Sequence, residues 1–145
     1  AIGEHGDSSF VPFSTLTLGG KNYKELQEAK PEKYSKLTED FVLERTRYIG
    51  YDIINGKGST EFGIGAACAD ICKAIFHDEK RVIPASVLLE GEYGIDGVAC
   101  GVPCVIGRNG IEDIIELELN DKEKGQMAHT CSVIKDYCER AENVK

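Results

Sequence analysis

Apolar residues recur along this chain with two distinct periods, and the switch between them outlines the elements. Thr38 can cap a helix whose first turn carries Glu39 and Asp40, where the helix dipole favours acids. Val42, Ile49 and Ile53 keep helical spacing, so the helix is predicted to run to about Ile54, where Asn55-Gly56-Lys57-Gly58 interrupts it. Ser59 can cap a second helix, in which Ile64, Cys68, Ile71, Cys72, Ile75 and Phe76 form one apolar stripe and predict a buried face. Gly63, Gly65, Ala66 and Ala67 give that helix a thin side that another backbone could approach. From Val82 the period becomes that of strands: Val82 to Glu90, Val98 to Ile106 and Ile114 to Leu119 are β-rich. Gly94-Ile95-Asp96-Gly97 and Arg108-Asn109-Gly110 have hairpin chemistry, because Gly and Asn accept positive φ. Glu116 and Glu118 alternate with Ile115, Leu117 and Leu119, the mark of a sheet with one wet face. Asn120 with Glu123 forms a capping box for a last helix, whose predicted buried face is Met127, Cys131, Ile134, Cys138 and Ala141.

Ahead of these, a Gly-, Ser- and acid-rich loop reaches Pro12, and Phe13 to Leu18 reads as a short strand stopped by Gly19-Gly20. Residues 21–37 are a polar surface connection with short helical turns. The order loop, strand, two helices, antiparallel meander, helix gives an α+β domain over residues 1–145, not a βαβ series.

With 41% hydrophobic and 29% charged residues, the 145-residue chain has the balance of a globular domain. A formal net charge of -8 without a basic cluster disfavours nucleic-acid binding. No apolar stretch approaches bilayer length, so no membrane partner is expected, and no signal-peptide pattern stands at the N-terminus. The 6 cysteines lie inside regular elements of a chain large enough to need no staples, so free thiols are expected. The Cys68/Cys72 and Cys100/Cys104 spacings lack zinc-knuckle geometry, and no metal site is expected. Gly56-Lys57-Gly58-Ser59 has Tyr51 where a phosphate loop requires Gly, and Gly63-Ile64-Gly65 lies inside a helix, so neither is a nucleotide fingerprint.

The chemistry concentrates in Ile2-Gly3-Glu4-His5-Gly6-Asp7-Ser8. Glycines on both sides leave the imidazole approachable, and imidazoles exchange protons near neutral pH. On residue type alone, a His in such a loop is equally an ordinary surface residue. The segment nevertheless matches in full the active-site signature of the L-lactate dehydrogenases, an aliphatic residue followed by Gly-Glu-His-Gly-Asp-Ser, with Val11-Pro12 at the family's distance. Lys57-Gly58-Ser59-Thr60 resembles that family's Lys-Gly-x-Thr helix start, Tyr93-Gly94-Ile95 its Tyr-Gly-Ile turn, and Val102 to Ile111 its Val-Pro-x-x-Ile-Gly-x-Asn-Gly-Ile hairpin. These motifs keep their order and span nearly the whole chain.

The resemblance implies the C-terminal, substrate-side domain of the lactate/malate dehydrogenase fold, with long helices packed on an antiparallel sheet. It implies His5 as the acid/base that exchanges a proton with the 2-keto oxygen of pyruvate or the hydroxyl of lactate. It further implies Thr60 as a substrate-pocket residue and Ile64 as an apolar contact of the nicotinamide; helix capping and core packing are their structural readings. NAD would be the cofactor, a small 2-keto or 2-hydroxy acid the substrate, and a cytoplasmic homotetramer in pyruvate fermentation the setting. Bacterial members are often activated by fructose 1,6-bisphosphate. Malate or a branched 2-hydroxyacid stays open as the substrate, since Glu4 and Thr60 favour lactate but the loop that reads the substrate side chain is not here. The family's Rossmann domain, the carboxylate that orients its His and its two arginines precede the signature; Asp7, two residues from His5, is badly placed for the orienting role. The chain, with Met127 its sole Met, therefore reads as a piece of a longer enzyme, and as a non-catalytic association domain when isolated.

Overall fold

The structure, a computed structural model, describes residues 1–143. Its internal contacts divide it into two compact units: residues 1–47 with the segment from Leu117 onward, and Tyr48–Glu116.

The first unit begins with a loop closed by an antiparallel bridge between Ile2 and Phe10. A 3-10 turn, Phe13–Thr15, and a two-residue hairpin of β1 (Thr17–Leu18) and β2 (Lys21–Asn22) then replace the strand expected over Phe13 to Leu18. The hydroxyl-rich sequence explains the difference. Thr15 Oγ1 donates to the Pro12 carbonyl (2.8 Å) and Ser14 is spent on Glu123, so side chains satisfy groups that a long ladder would have used. The polar connection contains α1 (Tyr23–Ala29), capped by Asn22 Oδ1, and α2 (Pro31–Tyr34). Tyr23 anchors them, with edge-on contacts to Phe13 (5.9 Å) and Tyr34 (5.8 Å).

Helix α3 spans Glu39–Lys57, entering in this unit and ending in the other. Thr38 Oγ1 accepts from Phe41 N (3.2 Å), as a cap should. The helix passes through Asn55 and Gly56, where a stop was expected, and ends at Gly58 (φ +88), whose N–H bonds the Ile54 carbonyl at 2.7 Å. Helix α5 (Asp121–Glu142) has the expected capping box of Asn120 and Glu123. Its buried face is Glu123, Met127, Thr130 and Cys131. Cys138 and Ala141, expected on that face, are exposed. The core of the unit is Ile2, Phe10, Tyr23, Leu119, Met127 and Cys131.

The second unit holds the rest of α3, α4 (Glu61–Phe76) and an antiparallel sheet of β3 (Arg81–Glu90), β4 (Asp96–Gly107) and β5 (Gly110–Ile114), in that spatial order. β4 alternates cleanly, with Val98, Cys100, Val102, Cys104 and Ile106 all buried on one face. Helix α4 packs against β4. Ala74 is the buried residue of this helix, whereas Ile64 (64% exposed), Cys68, Cys72 and Phe76 of the expected stripe are exposed. The buried side of α4 is therefore a small residue and not the expected stripe, and a small side chain allows close helix packing.

The first hairpin turns at Gly91–Ile95, slightly before the expected site. Gly97 (φ +72) is an unpaired bulge residue, because Leu89 pairs with Val98 and Glu90 with Asp96. The second turns on Arg108-Asn109, as expected. The last strand is Gly110–Ile114 rather than Ile114 to Leu119. Ile115 N still donates to the Pro103 carbonyl (2.9 Å), but Pro103 has no N–H to return, and the ladder stops. On its other side Pro103 lies directly opposite Pro84, a non-hydrogen-bonded pair that needs no donor from either proline.

Candidate active site

The loop between Ile2 and Phe10 is rooted in the core and open at its tip. Ile2 N donates to Phe10 O (2.9 Å) and Phe10 N to Ile2 O (3.1 Å). Ile2, Gly3, Ser9 and Phe10 are buried, while His5, Gly6 and Asp7 are exposed.

Three sets of bonds hold the loop. Ser9 donates from N (3.2 Å) and from Oγ (2.8 Å) to the Gly6 carbonyl, making a tight turn beneath the tip. Arg47 of α3 reaches the Ser9 carbonyl through Nη2 at 2.6 Å. Glu4 folds back so that its carboxylate accepts from Ser8 N (3.2 Å) and from the Ser8 hydroxyl, while Glu4 N donates to Thr130 Oγ1 of α5 at 2.8 Å.

The two glycines make this possible. Gly3 has φ +100, and a Cβ there would lie 2.7 Å from Thr130 Oγ1 and Cγ2. A Cβ on Gly6 would lie 2.7 Å from the Glu4 carboxylate. Openness around the imidazole is thus one consequence of these glycines; room for the braces beneath it is the other.

Among the described residues, the His5 ring has no hydrogen-bond or ion-pair partner, and no bond joins it to Asp7. The imidazole is carried on a braced loop without being committed to any group among the described residues.

Thr60 and Ile64 belong to the second unit, at the start of α4, and His5 to the first. Thr60 occupies the N-cap position but makes no capping bond, so its exposed hydroxyl is not consumed by the helix. Ser59, the cap expected from sequence, bonds the Glu61 carboxylate instead. Lys57 also pairs with Glu61, and these hydrogen bonds hold that carboxyl below its ordinary range, Lys57 contributing most. One turn after Thr60, Ile64 presents a bare apolar side chain.

Sequence reasoning missed Arg47 and Thr130. Arg47 carries no local signal, since its partner is a main-chain carbonyl far along the chain. Thr130 carries a weak one, because it is a hydroxyl on the helix face that also holds Met127 and Cys131.

Comparison with known proteins decides the family. The model of the lactate/malate dehydrogenase α/β C-terminal domain matches residues 1–145. The chain belongs to the lactate/malate dehydrogenase family. Among relatives of this lactate/malate dehydrogenase domain, an L-lactate dehydrogenase of Fusobacterium nucleatum is 40% identical over 99% of the chain and 45% of its own length. An L-lactate dehydrogenase 1 of Staphylococcus aureus is 42% identical with the same coverage. The crystal structure of a minor L-lactate dehydrogenase from Enterococcus mundtii in a ligand-bound form superposes with a TM-score of 0.83 at 36% identity, over 93% of this chain and 43% of that one. A lactate dehydrogenase from a deep-sea metagenome library gives 0.82 at 33% identity, with the same coverage. The chain therefore spans less than half the length of the relatives it matches. In this family domain, the expected mixed fold of helices and antiparallel sheet is the one observed.

Proposed function

We propose that this chain is the substrate-side domain of an NAD-dependent L-lactate dehydrogenase that interconverts pyruvate and L-lactate, with His5 as its proton donor and acceptor. The observation that carries the reading is the exposed, unpaired imidazole on a loop braced from beneath, within a chain about two-fifths identical to L-lactate dehydrogenases.

NADH, when bound, supplies the hydride that reduces the keto carbon. Among the described residues only one edge of such a group is fitted: Ile64 offers an exposed apolar side chain suited to the flat nicotinamide, and no glycine-rich strand-to-helix turn is there for a pyrophosphate. In this reading the Rossmann domain, the carboxylate that orients His5 and the substrate-binding arginines come from the rest of the enzyme.

Reduction of a ketone builds negative charge on its oxygen. His5, protonated, donates its ring proton to that oxygen and neutralises the developing alkoxide. In the reverse direction the neutral imidazole accepts the hydroxyl proton of lactate. Thr60, its hydroxyl free of the helix, lines the pocket beside the variable part of the substrate. The whole enzyme is a cytoplasmic homotetramer in this reading.

Steady-state kinetics of the full-length enzyme with pyruvate, oxaloacetate and 2-oxoisocaproate test the assignment. Pyruvate should give the highest kcat/KM; a preference for oxaloacetate would replace lactate by malate. The isolated chain, mixed with NADH and pyruvate, should show no turnover, and clear turnover would remove the need for an outside cofactor domain.

A further inference from the structure

We propose that Thr130 is a positioning residue for His5, acting through a closed circuit of hydrogen bonds with Glu4 and Ser8. The inference rests on the reading of His5 as the proton-transfer residue.

Thr130 is fully buried on α5, yet its hydroxyl serves the loop and not its own helix. A threonine inside a helix ordinarily returns its hydroxyl to a carbonyl one turn back. Here Oγ1 accepts from Glu4 N (2.8 Å) and stands 2.9 Å from Ser8 Oγ.

The proton count fixes the direction of every bond. An ionised carboxylate only accepts, so the single hydroxyl proton of Ser8 goes to Glu4. The proton between the two hydroxyls must then come from Thr130. The circuit runs from Glu4 N–H to Thr130, from Thr130 to Ser8, and from Ser8 to the carboxylate of the same Glu4. Each hydroxyl donates once and accepts once, and no buried donor is left over.

All the arms end on residues that bracket His5. Glu4 precedes it directly and Ser8 follows three residues on, so Thr130 holds both sides of the tip from one atom. Because the His5 ring has no partner among the described residues, its placement within this chain comes from its backbone, and Thr130 is the buried point from which that backbone is hung. Gly3 is shaped to the same contact: any side chain there would displace Thr130.

The test uses the full-length enzyme with Thr130→Val, Thr130→Ser, Ser8→Ala and His5→Asn, each assayed well below its melting temperature. Valine keeps the shape of threonine and removes the hydroxyl. Thr130→Val should lower kcat by roughly tenfold or more, with KM for pyruvate changed by less than about threefold, since misplacing a catalytic group by about an ångström can cost about 10²-fold. Thr130→Ser should restore kcat to within about threefold. Ser8→Ala opens the circuit without touching the face of α5 and should reproduce the kcat loss, which keeps the test valid if the valine variant folds poorly. An unchanged kcat in Ser8→Ala and in any folded Thr130→Val, or a Thr130→Ser variant as slow as Thr130→Val, overturns the proposal while leaving His5 in place. An active His5→Asn enzyme overturns instead the reading on which it rests.

Discussion

Ser14 gives both its backbone N–H (2.9 Å) and its hydroxyl to the carboxylate of Glu123, a side chain almost wholly removed from solvent. The same carboxylate accepts from Asn120 N at 3.0 Å and so completes the cap of α5. One buried anion thus ties the 3-10 turn at Phe13–Thr15 to the start of the helix that carries Thr130.

Glu123→Gln should therefore cost about 1–3 kcal/mol in urea denaturation, because an amide turns a donor toward groups that all donate. The cost should depend on pH. Burial pushes the Glu123 carboxyl upward, but the Ser14 hydroxyl, the Ser14 N–H and the Asn120 N–H outweigh it, and the group is held below its ordinary 4.5. A depressed carboxyl stabilises the fold fully above its unfolded value and loses that contribution as pH falls through the lower folded value. The gap between the parent protein and Glu123→Gln should stay constant from neutral pH down to about 5 and narrow below it. A gap that widens in acid would contradict the assignment.

His5→Asn in the full-length enzyme should lower kcat for pyruvate reduction by at least about 10²-fold, since asparagine has no proton to exchange. Stopped-flow and steady-state assays read this directly. Activity close to that of the parent would exclude His5 from proton transfer.

Gly3→Ala and Gly6→Ala should differ. At Gly3 the new methyl meets a buried hydroxyl in a backbone conformation that L residues rarely adopt. At Gly6 it meets the far end of the Glu4 side chain. Gly3→Ala should lose about 1–3 kcal/mol by thermal or chemical melting, and Gly6→Ala clearly less. Equal losses would mean that the contact with Thr130 is not what Gly3 accommodates.

Thr60→Val should leave the unfolding free energy of the full-length enzyme almost unchanged, within about 0.5 kcal/mol, because its hydroxyl caps nothing. KM for pyruvate should rise several-fold, roughly the worth of one hydrogen bond. A marked drop in melting temperature with KM unaltered would return Thr60 to a purely structural role.

The elements most readable from sequence were those with a self-contained local signal. Asn120 and Glu123 announce their cap, and the β-rich run from Val98 to Ile106 announces β4. Arg108-Asn109 likewise marks its own turn. What the sequence hides depends on partners far along the chain. The helix α4 stripe through Ile64 and Phe76 looks like core, whereas the residue that this helix buries is Ala74. Ser14 looks like a strand residue until Glu123 arrives 109 positions later. The candidate loop divides in the same way: a seven-residue motif singles out His5, whereas the bond from Glu4 to Thr130 spans 126 positions and no local pattern connects the two.

Pro84 and Pro103 face each other across β3 and β4. Because that pair is of the non-hydrogen-bonded kind, the backbone of Pro84 is directed away from β4, toward the outer edge of the sheet. An incoming strand finds a missing donor in the middle of that edge, flanked by Val82 and Leu88, whose apolar side chains are about half exposed. Without the proline, this would be a ten-residue template for edge-to-edge association of one molecule with the next. Pro84 therefore leaves that edge without a complete row of donors, a device that natural sheets use against edge-to-edge pairing.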